Sequence, residues 1–81
     1  MSKNDKLIQK IFKGELDITP DEAIKILEKL GFITTPISGS HRTYRKMNRA
    51  SITIVLTQNP LKPYLITKLQ EVLRNEGYQD D

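Results

Sequence analysis

The chain contains a single histidine, and its neighbours make it a candidate for proton transfer. His41 follows Ser38-Gly39-Ser40 and opens the run His41-Arg42-Thr43-Tyr44-Arg45-Lys46, whose residue types suit a strand. Side chains alternate between the faces of a strand, so His41, Thr43 and Arg45 share one side and Arg42, Tyr44 and Lys46 the other. Tyr44 is the member of this set that a core would take, which turns His41 and Arg45 to the open side. An imidazole can move a proton near neutral pH. A guanidinium can hold a phosphate oxygen bidentately. The pair suits chemistry on a phosphate. A lone histidine is also an ordinary surface residue, and the residues alone leave both readings open.

The flanking residues are equally two-sided. Gly39 and Ser40 can aim backbone N–H groups at an anion, or they can form a plain hairpin turn. Ser40 has no histidine–carboxylate pair implied around it and is set aside as a nucleophile. Tyr44 and Tyr64 can stack on bases, with core packing the other role for Tyr44. One histidine, no cysteine and no nearby carboxylate cannot fill a zinc shell. The absence of Asp and Glu from 32 to 70 argues against a carboxylate-held magnesium. Neither a metal nor another cofactor is expected. A backbone carbonyl, a hydroxyl or a carboxylate reaching in from a helix must then orient the ring of His41.

Net charge is +3, but its distribution carries more information. Residues 1–31 hold six Lys against six Asp or Glu, and residues 71–81 sum to −3. Between them, Arg42, Arg45, Lys46, Arg49, Lys62 and Lys68 sum to +6 with no acidic residue. A field of one sign attracts polyanions whatever the total charge. These six cations, with Gly39 and Ser40, form the candidate RNA-binding set. Contact with about four phosphates of a single strand implies a log–log salt slope of roughly −3.

The elements that must position these residues are legible from period and punctuation. Leu7, Ile8, Ile11 and Phe12 lie on one face of a helix predicted over 4–13, with Gly14 to end it. That face is either core or a contact for a partner protein. Thr19-Pro20-Asp21-Glu22 is a capping box that starts a second helix. Ala23, Ile24, Leu27 and Leu30 give its apolar side, and Gly31 its end. The pattern then becomes extended. Strands are predicted over 32–37, as an edge strand broken by Pro36, over 41–47 and over 51–56. Turns are predicted at Ser38-Gly39-Ser40 and Asn48-Arg49-Ala50. Ile52, Ile54 and Leu56 alternate onto one face, with Ser51 and Thr53 on the other. After a loop marked by Pro60 and Pro63, a last helix is predicted over 64–75, with Leu65, Ile66, Leu69, Val72 and Leu73 as its stripe.

The order is α-α-β-β-β-α: an α+β fold in which a three-stranded antiparallel meander has helices on one face and a partly open other face. Without its first helix, this is the order of a double-stranded-RNA-binding domain. Eighty-one residues make one domain with a thin core. The absence of cysteine excludes disulfides and thiol catalysis. No apolar run approaches the ~20 residues that span a bilayer, and the polar start, 1–6, is not that of a signal peptide. The expected location is the cytoplasm, with no membrane contact.

Ile26-Leu27-Glu28-Lys29-Leu30-Gly31-Phe32, followed by Gly39-Ser40-His41-Arg42-Thr43-Tyr44-Arg45-Lys46, resembles the HicA signature. That signature is a helix ending in Gly-Phe, a short strand, then Gly-Ser-His with an aromatic three residues on. Lys62-Pro63-Tyr64 and Leu69 to Gly77 resemble the closing helix of that family. The likeness spans about 19–78, leaving 1–18 as an N-terminal helical extension. It implies a fold like the double-stranded-RNA-binding domain, and a toxin–antitoxin endoribonuclease (an mRNA interferase) whose catalytic residue is the histidine of Gly-Ser-His, here His41. It further implies a HicB antitoxin that covers the active site, with any contact to DNA made through that antitoxin. Many members carry a second histidine where this chain has Arg42, so a two-histidine acid–base pair is missing here. The alternative on the same residues is an RNA-binding module without catalysis.

Overall fold

The computed structural model describes residues 3–36 and 39–80. Their order is α1 (Lys3–Phe12), α2 (Pro20–Lys29), β1 (Ile33–Pro36), β2 (His41–Arg45), β3 (Ile52–Val55) and α3 (Pro63–Asn75). The fold is α+β, with one antiparallel sheet in the order β1-β2-β3, and it matches the layout of a double-stranded-RNA-binding domain. Ile37, the predicted end of the first strand, and Ser38, the first residue of the predicted turn, lie outside the described residues.

Local chemistry explains both ends of α2. Thr19 Oγ1 accepts from the Glu22 backbone N–H at 3.2 Å, and Glu22 Oε1 accepts from the Thr19 N–H at 2.9 Å. These two bonds satisfy orphan donors of the first turn, and Pro20 supplies a preset φ at the first helical position. At the other end Gly31 adopts φ 90°. This lets Phe32 N–H reach the Leu27 carbonyl and Gly31 N–H reach that of Glu28, each at 3.0 Å. Thr19→Ala is expected to destabilise the protein by about 1 kcal/mol, lowering Tm by roughly 4–8 °C for a domain of this size. A thermal melt with unchanged Tm would mean that the capping box contributes nothing.

The buried side of α2 is Ala23, Ile26, Leu27 and Leu30, at i, i+3, i+4 and i+7. Ile24, expected on that face, is only partly buried, and Ile26 takes its place in the core. The apolar face of α1 is core as well: Ile8, Ile11 and Phe12 are buried, with α1 packed on α2 and α3. Gln70 of α3 caps the end of α1 by donating from Nε2 to the Ile11 and Phe12 carbonyls at 3.0 and 3.3 Å. Leu65, Ile66, Leu69 and Leu73 of α3 complete the helical layer.

The sheet presents Tyr44, Ile52 and Ile54 to that layer, and Tyr44 is only 1% exposed. The second hairpin is tighter than the residue types suggest. Arg49 N–H donates to the Lys46 carbonyl at 3.1 Å, and Asn48 sits at φ 62°, a conformation that asparagine tolerates. β2 therefore ends at Arg45, short of the predicted Met47.

Candidate functional site on the open sheet face

β2 is the central strand, and its register defines the open face. His41 pairs with Val55 of β3. Thr43 lies between Thr35 of β1 and Thr53 of β3, and Arg45 pairs with Ile33 of β1. Directly paired residues share a face. The face therefore carries three rows: His41 and Val55 at one end, threonines across the middle, and Arg45 with Ile33 at the other end. Thr43 and Thr53 join their hydroxyls at 2.9 Å. No carboxylate belongs to these rows.

His41 is exposed, immediately after the Gly39–Ser40 turn. Gly39 has φ 80°, a region that favours glycine, so the turn that delivers His41 depends on that residue. The Ser40 carbonyl accepts from Leu56 N–H at 2.7 Å, tying the start of β2 to the end of β3. Among the described residues, no carbonyl, hydroxyl or carboxylate hydrogen-bonds the His41 ring. Arg45 is likewise exposed and has no ion pair or hydrogen-bond partner among the described residues. It shares the face of His41 but stands four residues along an extended strand, roughly 13 Å away.

The six cations do not stand together. Arg42 pairs with Ile54 and belongs to the helix-side face, where its side chain is exposed at the end of the sheet. Lys62 precedes α3 and is exposed. Lys68, on α3, lines with Arg49 a cleft of about 140 Å³ between that helix and the second hairpin.

Lys46 and Arg49 converge on Glu76, a residue that no local signal connects with them, because it lies 30 and 27 positions away. Lys46 Nζ donates to Glu76 Oε1 and to the Leu30 carbonyl, the latter at 2.7 Å, and sits over the Phe32 ring. Arg49 Nε donates to Glu76 Oε2 at 2.7 Å, and its Nη2 to the Asn75 carbonyl at 3.2 Å. The Glu76 side chain is 10% exposed. The cluster clamps the ends of α2 and α3 to the second hairpin.

The hydrogen bond from Lys46, and then that from Arg49, hold the Glu76 carboxyl below the ordinary glutamate range. A carboxylate with a depressed folded-state pKa stabilises the fold above its unfolded pKa of about 4.3. That stabilisation is lost as pH falls through the depressed value. Glu76→Gln is expected to lower Tm near neutral pH and to narrow the Tm difference between about pH 7 and about pH 3. Equal pH dependence in parent and variant would count against the clamp.

Among the described residues, no three His, Cys, Asp or Glu side chains stand together as a metal site. No helix among them is long and apolar enough to cross a membrane.

Fold and face together define a small α+β protein of the double-stranded-RNA-binding-domain type, whose open sheet face bears a solitary exposed histidine. A family model described as HicA toxin of bacterial toxin-antitoxin matches residues 20–78, and the chain belongs to that family. It is thus a toxin of a toxin–antitoxin system, in a family generally of nuclease type, and an antitoxin is its partner by class. Comparison with curated proteins finds no match, and comparison with solved structures finds none either. The matched span begins at the first residue of α2 and leaves out α1, although α1 buries Ile8, Ile11 and Phe12 in the common core.

Proposed function

We propose that this toxin is a metal-independent endoribonuclease that cleaves mRNA, with His41 as its catalytic acid or base. The reading rests on one observation: the chain's lone histidine stands exposed on a carboxylate-free sheet face, directly after a glycine-dependent turn, at the Gly-Ser-His position of a HicA-family chain.

As a base, His41 takes the proton of a ribose 2′-hydroxyl. The 2′-oxygen then bonds to the adjacent phosphorus and the bond to the 5′-oxygen breaks. The products are a 2′,3′-cyclic phosphate and, once the leaving oxygen takes up a proton, a 5′-hydroxyl. As an acid, His41 instead supplies that second proton. With Arg42 in place of a second imidazole, water exchanges whichever proton His41 does not handle. Backbone N–H groups of Gly39–Ser40, the nearest donors along the chain, meet the charge on the reacting phosphate, and the Arg42 guanidinium, exposed at the end of the sheet on the other face, adds attraction for the polyanion. Arg45 engages the strand about 13 Å from the cut. Lys62 and Lys68 add a long-range attraction for the polyanion. The antitoxin is a HicB-type protein that covers this face.

Incubation with a long single-stranded RNA in EDTA is expected to yield fragments ending in cyclic phosphate, while DNA of the same sequence stays intact for want of the 2′-hydroxyl. Strict dependence on added magnesium would overturn the mechanism. The ring of His41 lacks an orienting partner among the described residues, and this favours a second reading: an RNA-binding module without catalysis. Binding with a log–log salt slope of roughly −3, but no cleavage, would establish that reading instead.

A further inference from the structure

The end of the open face farthest from His41 has a composition that holding a phosphate backbone does not require. Ile33 is 72% exposed and Met47 is 86% exposed. With Thr35, Arg45 and Ser51, these two side chains line one open depression. Lys46 and Arg49 also border it, but both are committed to Glu76, which fixes that wall. Arg45 is therefore the lining cation with its guanidinium free among the described residues.

Phosphate contacts are made by cations, hydroxyls and backbone N–H groups and need no apolar surface, whereas a base offers an apolar face and a polar edge. Apolar side chains beside a free, planar guanidinium match both. Guanine suits the guanidinium best, because its O6 and N7 acceptors take two parallel N–H donors.

We propose that the Ile33–Arg45–Met47 depression is a nucleobase subsite that prefers guanine, and that it reads the RNA at a fixed offset from the phosphate at His41. The proposal rests on the RNA-cleavage reading, which sets the frame for that offset. The rows of His41 and Arg45 are roughly 13 Å apart, and a stacked strand rises about 3.4 Å per nucleotide. The base read thus lies no more than about four nucleotides from the cut. Ile33 and Met47 hold the base by its face, and Arg45 selects it by its edge.

Two measurements test this. In the first, a randomised single-stranded RNA pool is cut by the parent, by Arg45→Ala and by the double variant Ile33→Ser/Met47→Ser, and the new ends are sequenced. The parent is expected to show enrichment of guanine at one position within about four nucleotides of the cut. Alanine removes both donors, and its substitution should reduce that enrichment by roughly 5- to 150-fold, the range one bidentate pair supplies. The double variant should flatten the preference at the same position. No positional preference in the parent, or one that the variants leave unchanged, overturns the proposal.

The second measurement needs no cleavage. Binding of a uridine octamer is compared with that of the same octamer carrying one guanosine. Tighter binding of the guanosine strand by the parent, lost in both variants, supports the subsite even where the chain cuts nothing, and the failure would then be that of the cleavage reading. Equal binding of both strands by the parent overturns the subsite whatever the cleavage result. A double variant that keeps its guanine preference but loses affinity for the antitoxin assigns the depression to the protein partner and equally overturns the proposal.

Discussion

His41→Ala is expected to slow RNA cleavage by about 10²–10⁴-fold, the usual contribution of one positioned acid or base. The fold should not change. The side chain is exposed and no described residue hydrogen-bonds it, so the stability effect should stay within about 0.5 kcal/mol. Circular dichroism and a thermal melt on both proteins would separate lost chemistry from lost structure. RNA affinity should also persist, since the cations are untouched. Cleavage in EDTA by the alanine variant at the parent's rate would remove His41 from the mechanism. Equal loss of cleavage and binding would make it a binding residue only.

Tyr44→Ala is expected to cost about 3–5 kcal/mol, the range for emptying a buried aromatic site. A chain of 81 residues has roughly 4–12 kcal/mol in all. The variant should therefore be largely unfolded at physiological temperature, or melt far below the parent in a denaturant titration. Tyr44 lies on the helix side of the central strand, against the layer that includes Leu65, Leu69 and Leu73. It is thus core rather than a platform for bases, which closes the question its residue type left open. Tyr44→Phe should retain most of the stability because it keeps the ring. A Tyr44→Ala variant that melts with the parent would remove Tyr44 from the core.

The readable part of the molecule is the part encoded by short-range patterns. The capping box at Thr19 and Glu22 and the helix end at Gly31 involve neighbours within five positions, and both formed as their residue types require. Strand alternation sorted Tyr44 from His41 and Arg45 because it depends only on the pleat. The second hairpin shifted because Asn48 accepts a positive φ, moving the tight turn one residue earlier than the Asn-Arg-Ala run suggests. In α2, Ile24 and Ile26 are equally apolar, and only the neighbours in space decide which one is buried.

The candidate site divides along the same line. The residue types by themselves set out a single histidine after a Gly-Ser turn, a carboxylate-free basic stretch and the alternation that exposes His41 and Arg45. These follow from composition and the two-residue period, which need no knowledge of distant chain. Tertiary structure decided how the cations are used. Glu76, remote in sequence, reaches Lys46 and Arg49 once α3 packs across the sheet, and turns two members of an apparently uniform patch into a structural clamp. Register decided that Ile33 stands beside Arg45, and that the threonine row separates Arg45 from His41. Charge is a property of each residue, but whether a charge is free to meet a ligand depends on which partners the fold brings within hydrogen-bonding distance.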